Sequence, residues 1–355
     1  MNNRSDFDVA AGFTCPVPLQ HYPNVLLAHG SGGRLTHQLI EQLFLPSFPN
    51  EHLAPLHDGA LVTMNGVRLA FSTDSYVINP VFFPGGDIGE LAVNGTVNDL
   101  AMCGARPLFL SAGMIIEEGF PMEDLVRVVR SMQSAALRAH VQIVTGDTKV
   151  VDRGKGDKIF LATSGIGLVP DGLNISPKAA TPGDVIIVSG PIAVHGIAIM
   201  SVREGLEFET QIESDTAPLN SLVEAMLATQ GTIHVLRDPT RGGVASVLNE
   251  IAQSAKVGIS IAEERIPIPD EVRGACEILG LDPLYVANEG KLLAFVARAD
   301  ADKILQAMKE HPLGGQAAII GEVVDEHAGT VVLKTSIGGS RILDMLSGEQ
   351  LPRIC

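Results

Sequence analysis

Strand-like and helix-like patterns mix in both halves of this chain without the strict alternation of a parallel βαβ sheet. That mixture points to two α+β domains rather than a Rossmann sheet. At 355 residues the chain exceeds one typical core, which agrees with two domains. A weakly periodic stretch carrying Pro170, Pro177 and Pro182 supplies the junction. The expected organisation is an N-terminal extension over 1–24, a first domain over 25–168, a second over 180–337 and a mobile tail over 338–355.

Within the first domain the patterns predict strands near 68–72, 108–116, 141–144 and 159–167, with helices near 36–44, 88–101 and 123–139. Beyond the junction, strands are expected near 184–189, 234–236, 258–262, 292–297, 317–323 and 330–334. Helices are expected near 194–204, 219–228, 244–255, 270–279 and 301–311. Residues 338–351 carry Gly338, Gly339 and Gly348 and no strong pattern, hence the expectation of mobility.

Charge narrows the partners. With 25 basic and 41 acidic residues the formal charge is −16, which argues against nucleic acid or an anionic membrane, since phosphate backbones need clustered Lys and Arg. An anionic nucleotide stays compatible if divalent cations neutralise it locally. No apolar run reaches the roughly 18–20 residues of a membrane span, and the N-terminus lacks a signal-peptide core. The four cysteines (15, 103, 276 and 355) are scattered with no CxxC pair, so a reducing, cytoplasmic setting is expected.

Several short segments carry candidate chemistry. Thr73-Asp74-Ser75, Asn98-Asp99 and Gly146-Asp147-Thr148-Lys149 read as acidic turns at the ends of apolar segments. Three converging carboxylates suit one or two Mg2+ ions on a nucleotide, although an aspartate in a turn is more often a cap or an Asx-turn. Gly30-Ser31-Gly32-Gly33 is either a loop that lets backbone N–H groups approach phosphate or a plain hinge. In Asp238-Pro239-Thr240-Arg241-Gly242-Gly243, Arg241 is a phosphate clamp or the whole segment is a capped helix start. Lys149 is either a neutraliser of charge during phosphoryl transfer or a solvated surface lysine. Asn288-Glu289-Gly290-Lys291 reads by itself as a surface turn, and Cys103 and Cys276 as core thiols. Cys355, the last residue, is incidental or a chemical handle that a mobile tail carries into a distant pocket.

Taken together, HGSGG at 29–33, FSTDSYVINPVFFPGG at 71–86, NGTVNDLAMCGARP at 94–107, TGDTKVV at 145–151, DPTRGGV at 238–244, ANEGKL at 287–292, HPLG at 311–314 and the terminal PRIC resemble the HypE family. These are the ATP-dependent carbamoyl dehydratases of [NiFe] hydrogenase maturation, within the aminoimidazole ribonucleotide synthetase-like (PurM-like) superfamily. The superfamily shares the nucleotide motifs, and the cysteine-ended tail selects this member.

The resemblance implies a two-domain α+β fold, a homodimer built by strands of two copies, and ATP with Mg2+ as cofactors. It implies that Asp74, Asp99 and Asp147 hold the metal, with Thr148, Asp238 and Arg241 in the nucleotide site. Lys149 and Glu289 would handle proton removal, and Cys355 would carry the substrate. A partner carbamoyltransferase would load Cys355, and an iron-bearing maturation scaffold complex would receive the cyanide. The chain departs from the family at Ala193-Val194, where Gly-Asp is common before His-Gly. Two other readings compete: a kinase or synthetase acting on a free small molecule, and a non-enzymatic scaffold that holds iron.

Overall fold

The computed structural model describes residues 22, 24–205, 212–348, 351 and 353–355. Nearly all of the expected extension, with Cys15, lies outside the described residues, as does Pro352. The first domain is built on a five-stranded sheet of β1 (Ala60–Met64), β2 (Val67–Tyr76), β5 (Arg106–Glu117), β6 (Gln142–Val151) and β7 (Ile159–Leu168), in the order β1-β2-β7-β5-β6. All neighbours run antiparallel except β5 and β6. A short hairpin, β3 (Phe82–Phe83) with β4 (Gly86–Asp87), leads into the sheet's main covering helix.

The second domain carries a seven-stranded sheet of β8 (Val185–Val188), β9 (Ile233–Arg237), β10 (Gly258–Ala262), β11 (Leu293–Val296), β12 (Ala318–Val324), β13 (Val331–Lys334) and β14 (Ser340–Ile342). Its order is β14-β13-β10-β12-β8-β11-β9. β8 and β11 are buried at every position, as strands covered on both faces should be. The helices are α1 (Arg34–Leu39), α2 (Leu45–Ser47), α3 (Ile88–Met102), α4 (Met122–Arg138), α5 (Val194–Arg203), α6 (Asn220–Ala228), α7 (Gly243–Ala255), α8 (Asp270–Leu279) and α9 (Ala301–Glu310). None of the described helices is long and apolar enough to cross a membrane.

Two features differ from what the sequence suggested. None of the three acidic segments is a turn: Asp74 lies in β2, Asp99 in α3 and Asp147 in β6. Asp, Ser and Gly favour turns because their side chains or freedom suit them locally, but strand pairing overrides that preference at Asp74 and Asp147, while Asp99 falls within the helix expected over 88–101. The stretch after residue 338 is also partly anchored. β14 pairs antiparallel with β13, and Leu343 and Leu346 are buried.

Helix α3 positions everything that follows. It is buried on almost every side, between the first sheet, α4 and the second domain. Its entry is fixed by Asp87, whose Oδ1 accepts from the N–H groups of Gly89 (2.8 Å) and Glu90 (3.1 Å) and from Ser131 Oγ on α4 (2.6 Å). One carboxylate thus satisfies two helix-end donors and joins two helices. Replacing Asp87 with Ala should destabilise the protein by about 2 kcal/mol, read as a lower urea midpoint with an unchanged slope.

Candidate active site

The polar residues of α3 reach into the second domain. Asn98 Oδ1 accepts from Leu219 N–H at 2.7 Å, and Asn98 Nδ2 donates to Ala217 O at 3.1 Å and Glu289 O at 3.4 Å. The next residue, Asp99, therefore points at the domain seam. There Asp58, Asp99 and Asp238 each bring a carboxylate oxygen within 4.8 Å of the others. Asp58 comes from the segment before β1, and Asp238 from the residue just past β9.

The electrostatics of this cluster are unbalanced. Burial pushes the Asp99 carboxyl well above the usual range, and repulsion from Asp238, Asp74 and Asp58 adds to it. Burial does the same to Asp238, with Asp58 reinforcing and Arg237 opposing. Burial opposes the charge on Arg237, but Asp58 and Glu250 more than offset it and hold its pKa above the ordinary value. The contacts are Arg237 Nε to Asp58 at 2.8 Å and Arg237 Nη2 to Glu250 at 2.8 Å. Asp58 Oδ2, although buried, has no hydrogen-bond partner. Three crowded carboxylates and an orphaned oxygen fit a hard divalent cation, which takes oxygen ligands.

Beside the cluster a cavity of about 390 Å³ is lined by Gly32, Thr36, His37, His57, Arg237 and Arg241 among others. The glycine loop docks there: a side chain on Gly32, at φ +74°, would lie 2.6 Å from Arg241 O. Arg241 Nη1 donates to Gly30 O at 3.1 Å, and Nη2 lies 4.0 Å from Asp74. Its pKa is raised first by the charge at Cys355, with Asp74 and Glu289 also contributing. Glu289 is buried, its Oε1 has no partner, and burial with nearby Asp238, Asp74 and Asp215 pushes its carboxyl well up. Its segment is no surface turn: a side chain on Gly290 would overlap Asp215 O.

The chain's own end completes this seam. Ile354 and Cys355 are buried within the core of the first domain. Burial pushes the Cys355 thiol up to about 12, with Arg241 opposing and Glu289, Asp74 and Asp238 reinforcing. A seated Cys355 is a protonated, unreactive thiol at neutral pH.

Of the residues expected at the site, Asp74, Asp99, Asp238, Arg241, Glu289 and Cys355 share one electrostatic neighbourhood. Asp147, Thr148 and Lys149 do not join them within one chain. Asp74 pairs with Thr163, Thr163 with Ala112, and Ala112 with Gly146. Asp147 is thus three strands away, roughly 14 Å at the usual strand spacing. It sits exposed on edge strand β6, its pKa lowered by a hydrogen-bonded ion pair with Lys149 (2.6 Å). Cluster member Asp58 escaped sequence reading; its signal was a carboxylate in His57-Asp58-Gly59 immediately before a strand.

Family models match on both sides of the seam. Residues 56–169 match the N-terminal domain of AIR synthase related proteins, and residues 181–334 match the C-terminal domain. Carbamoyl dehydratase HypE of Cupriavidus necator is 55% identical over 330 residues, covering 93% of this chain and 94% of the relative. The chain belongs to the HypE family, the ATP-dependent carbamoyl dehydratases of hydrogenase maturation. Carbamoyl dehydratase HypE of Escherichia coli K12 is 48% identical over 94% of this chain and 99% of its own. Among solved structures, a HypE–HypF complex is similar at TM-score 0.83 and 52% identity, covering 87% of this chain and 99% of that one. A HypE bound to ATP is similar at TM-score 0.79 and 51% identity, covering 94% and 100%. The chain's two-domain α+β architecture is that of these HypE structures.

Two outcomes test the electrostatics. Asp99→Asn removes one of the repelling charges, so without divalent cation it should raise stability by about 1 kcal/mol while abolishing the stabilisation that added cation gives the wild type; a thermal melt with and without cation reads both. The thiol's raised pKa favours the seated tail fully below about pH 9, the ordinary value. That contribution should be lost progressively as pH rises toward about 12. Alkylation of Cys355 followed by peptide mass mapping should therefore accelerate with pH more steeply than thiolate formation alone predicts.

Proposed function

We propose that this chain dehydrates an S-carboxamide carried on its own Cys355 to a thiocyanate, at the expense of ATP. The observation that carries the reading is the position of Cys355 beside Arg241 and Glu289, next to the Asp58–Asp99–Asp238 cluster. An amide oxygen is a poor leaving group, and phosphorylation makes it a good one. The carboxamide oxygen attacks the γ-phosphorus of ATP and ADP leaves. Loss of both N–H protons and departure of phosphate then leave the C≡N group on sulfur. Per turnover, one carboxamide and one ATP become one thiocyanate, ADP and phosphate.

Asp58, Asp99 and Asp238 would hold Mg2+, with Asp74 close by. The ion would neutralise nucleotide phosphates where so many carboxylates gather. Arg241 lies where its planar fork can meet a phosphoryl group. Glu289 is the base: its high pKa makes it a strong proton acceptor once ionised, and Arg241 favours that ionisation. Because the seated thiol is protonated, loading by the partner carbamoyltransferase would take place with the tail outside. The thiocyanate would then leave on the tail for an iron-bearing scaffold complex of [NiFe] hydrogenase maturation.

Lys149, Asp147 and Thr148 enter this scheme through a second copy of the chain. Edge strand β6 is exposed along nearly its whole length, and Phe71, Ile166 and Phe109 form a cross-strand apolar row on the outer face of the sheet. A homodimer pairing these faces would cover that row and carry β6, with Asp147, Thr148 and Lys149, toward the partner's seam.

Intact mass spectrometry tests the reaction. With carbamoyl donor, transferase and ATP, the chain should first gain about 43 Da and then lose about 18 Da, both confined to Cys355. Cys355→Ala should show neither change. Glu289→Gln should load normally yet slow the second step by about 10²–10⁴-fold. In the wild type that step should speed up as pH rises through the raised pKa of Glu289, above the ordinary carboxylate range. An 18 Da loss without ATP, or on another residue, would sink the reading.

A further inference from the structure

We propose that His195 and Ser214 form a latch that seats the last three residues by their main chain, so that His195 is a positioning residue for the Cys355 sulfur. The proposal rests on the reading that Cys355 carries the reacting group, and it adds the element that sets the register of that group. His195 lies in the first turn of α5 and is fully buried, its ring edge-on to Phe83 at 5.7 Å. Its Nε2 is 2.8 Å from Ile354 O, and its Nδ1 is 2.7 Å from Ser214 Oγ.

The proton positions follow from these partners. A carbonyl oxygen only accepts, so Nε2 carries the hydrogen and Nδ1 of the neutral ring accepts from the Ser214 hydroxyl. Ser214 Oγ in turn accepts from Thr216 N–H at 3.1 Å. Burial lowers the pKa of His195, while Asp215 opposes, so the ring stays neutral and this pattern is single-valued. Ser214 is held independently of the tail. Its N–H donates to Pro84 O at 2.8 Å, and a side chain on Gly85, at φ +85°, would collide with that N–H.

The rest of the seat also reads backbone. Val77 N–H donates to Cys355 O at 3.1 Å and Asn79 N–H to Arg353 O at 3.3 Å. Arg203 also donates to Arg353 O, and Arg353 Nε returns a bond to Val77 O at 2.9 Å. The carbonyls of Arg353 and Ile354 and one main-chain oxygen of Cys355 thus each have a donor, and His195 supplies the one for Ile354. Side-chain recognition comes from the burial of Ile354 and Cys355, the Arg353 Nε bond to Val77 O and the ion pair of Arg353 with Asp157. None of these groups belongs to the carboxylate cluster, so the main-chain seat and the cation draw on different residues of the same seam.

The test alkylates the full-length protein with iodoacetamide at pH 7.5 and reads Cys355 by peptide mass mapping, with buried Cys103 and Cys276 as fold controls. His195→Leu removes the donor and should speed Cys355 labelling about tenfold, the population change expected from losing one buried hydrogen bond. Ser214→Ala leaves the ring unoriented and should speed it about threefold. His195→Gln, whose amide nitrogen can donate to Ile354 O, should restore most of the protection. In the loaded protein, His195→Leu should lower kcat for dehydration and leave the KM for ATP unchanged. Wild-type labelling rates in His195→Leu with silent controls would overturn the latch. If the controls of His195→Leu become reactive, the fold has been lost and a wild-type rate in Ser214→Ala overturns it instead. A wild-type chain that never loses the 18 Da, while His195→Leu still frees Cys355, would sink the dehydration reading and leave the latch standing.

Discussion

The hydrogen bonds from Asn98 to the second domain are the constraint on which the site depends. They hold a helix of the first domain against the backbone at Ala217, Leu219 and Glu289 of the second. Asp99 is the next residue, so the same contact sets it against Asp238. A buried amide with both ends satisfied tolerates little displacement, because an unmet buried polar group costs about 1–3 kcal/mol. The two halves of the carboxylate cluster are therefore fixed by packing that has its own reason to exist.

That fixed seam stores charge repulsion. Asp58, Asp99, Asp238, Asp74 and Glu289 crowd a region where Arg237 and Arg241 supply the facing positive charge. Such a region is stable only with protons or cations in place, which is why the same groups suit a metal–nucleotide complex. The seated tail places its thiol in this field in the protonated form, with Arg241 facing it. A carbamoylated sulfur would likewise be neutral, so loading does not add to the repulsion.

Much of this was legible along the chain. The strands and helices of both domains stand out because apolar periodicity reports burial directly. Asp74, Asp99, Asp238 and Arg241 were each visible as charged residues beside glycines or at the edges of apolar segments, whereas Glu289 read locally as a surface turn and gained a role only from the family resemblance. Asp58 was not singled out, because its one local signal, a carboxylate just before a strand, is shared by many ordinary strand entries. The strands behind two of the acidic segments were not visible: turn-like composition hid β2 at Asp74 and edge strand β6 at Asp147, whereas the helix carrying Asp99 was legible.

The amino-acid order by itself determined the two-domain α+β class, the nucleotide motifs and the thiol at the chain's end, since each is a property of contiguous residues. Only the tertiary structure decided which carboxylates meet, that Asp147 and Lys149 stand three strands away, and that His195 holds the tail. Those outcomes depend on contacts between residues as distant as 195 and 354. Such pairings are set by how sheets order and domains pack, and local pattern carries no record of them.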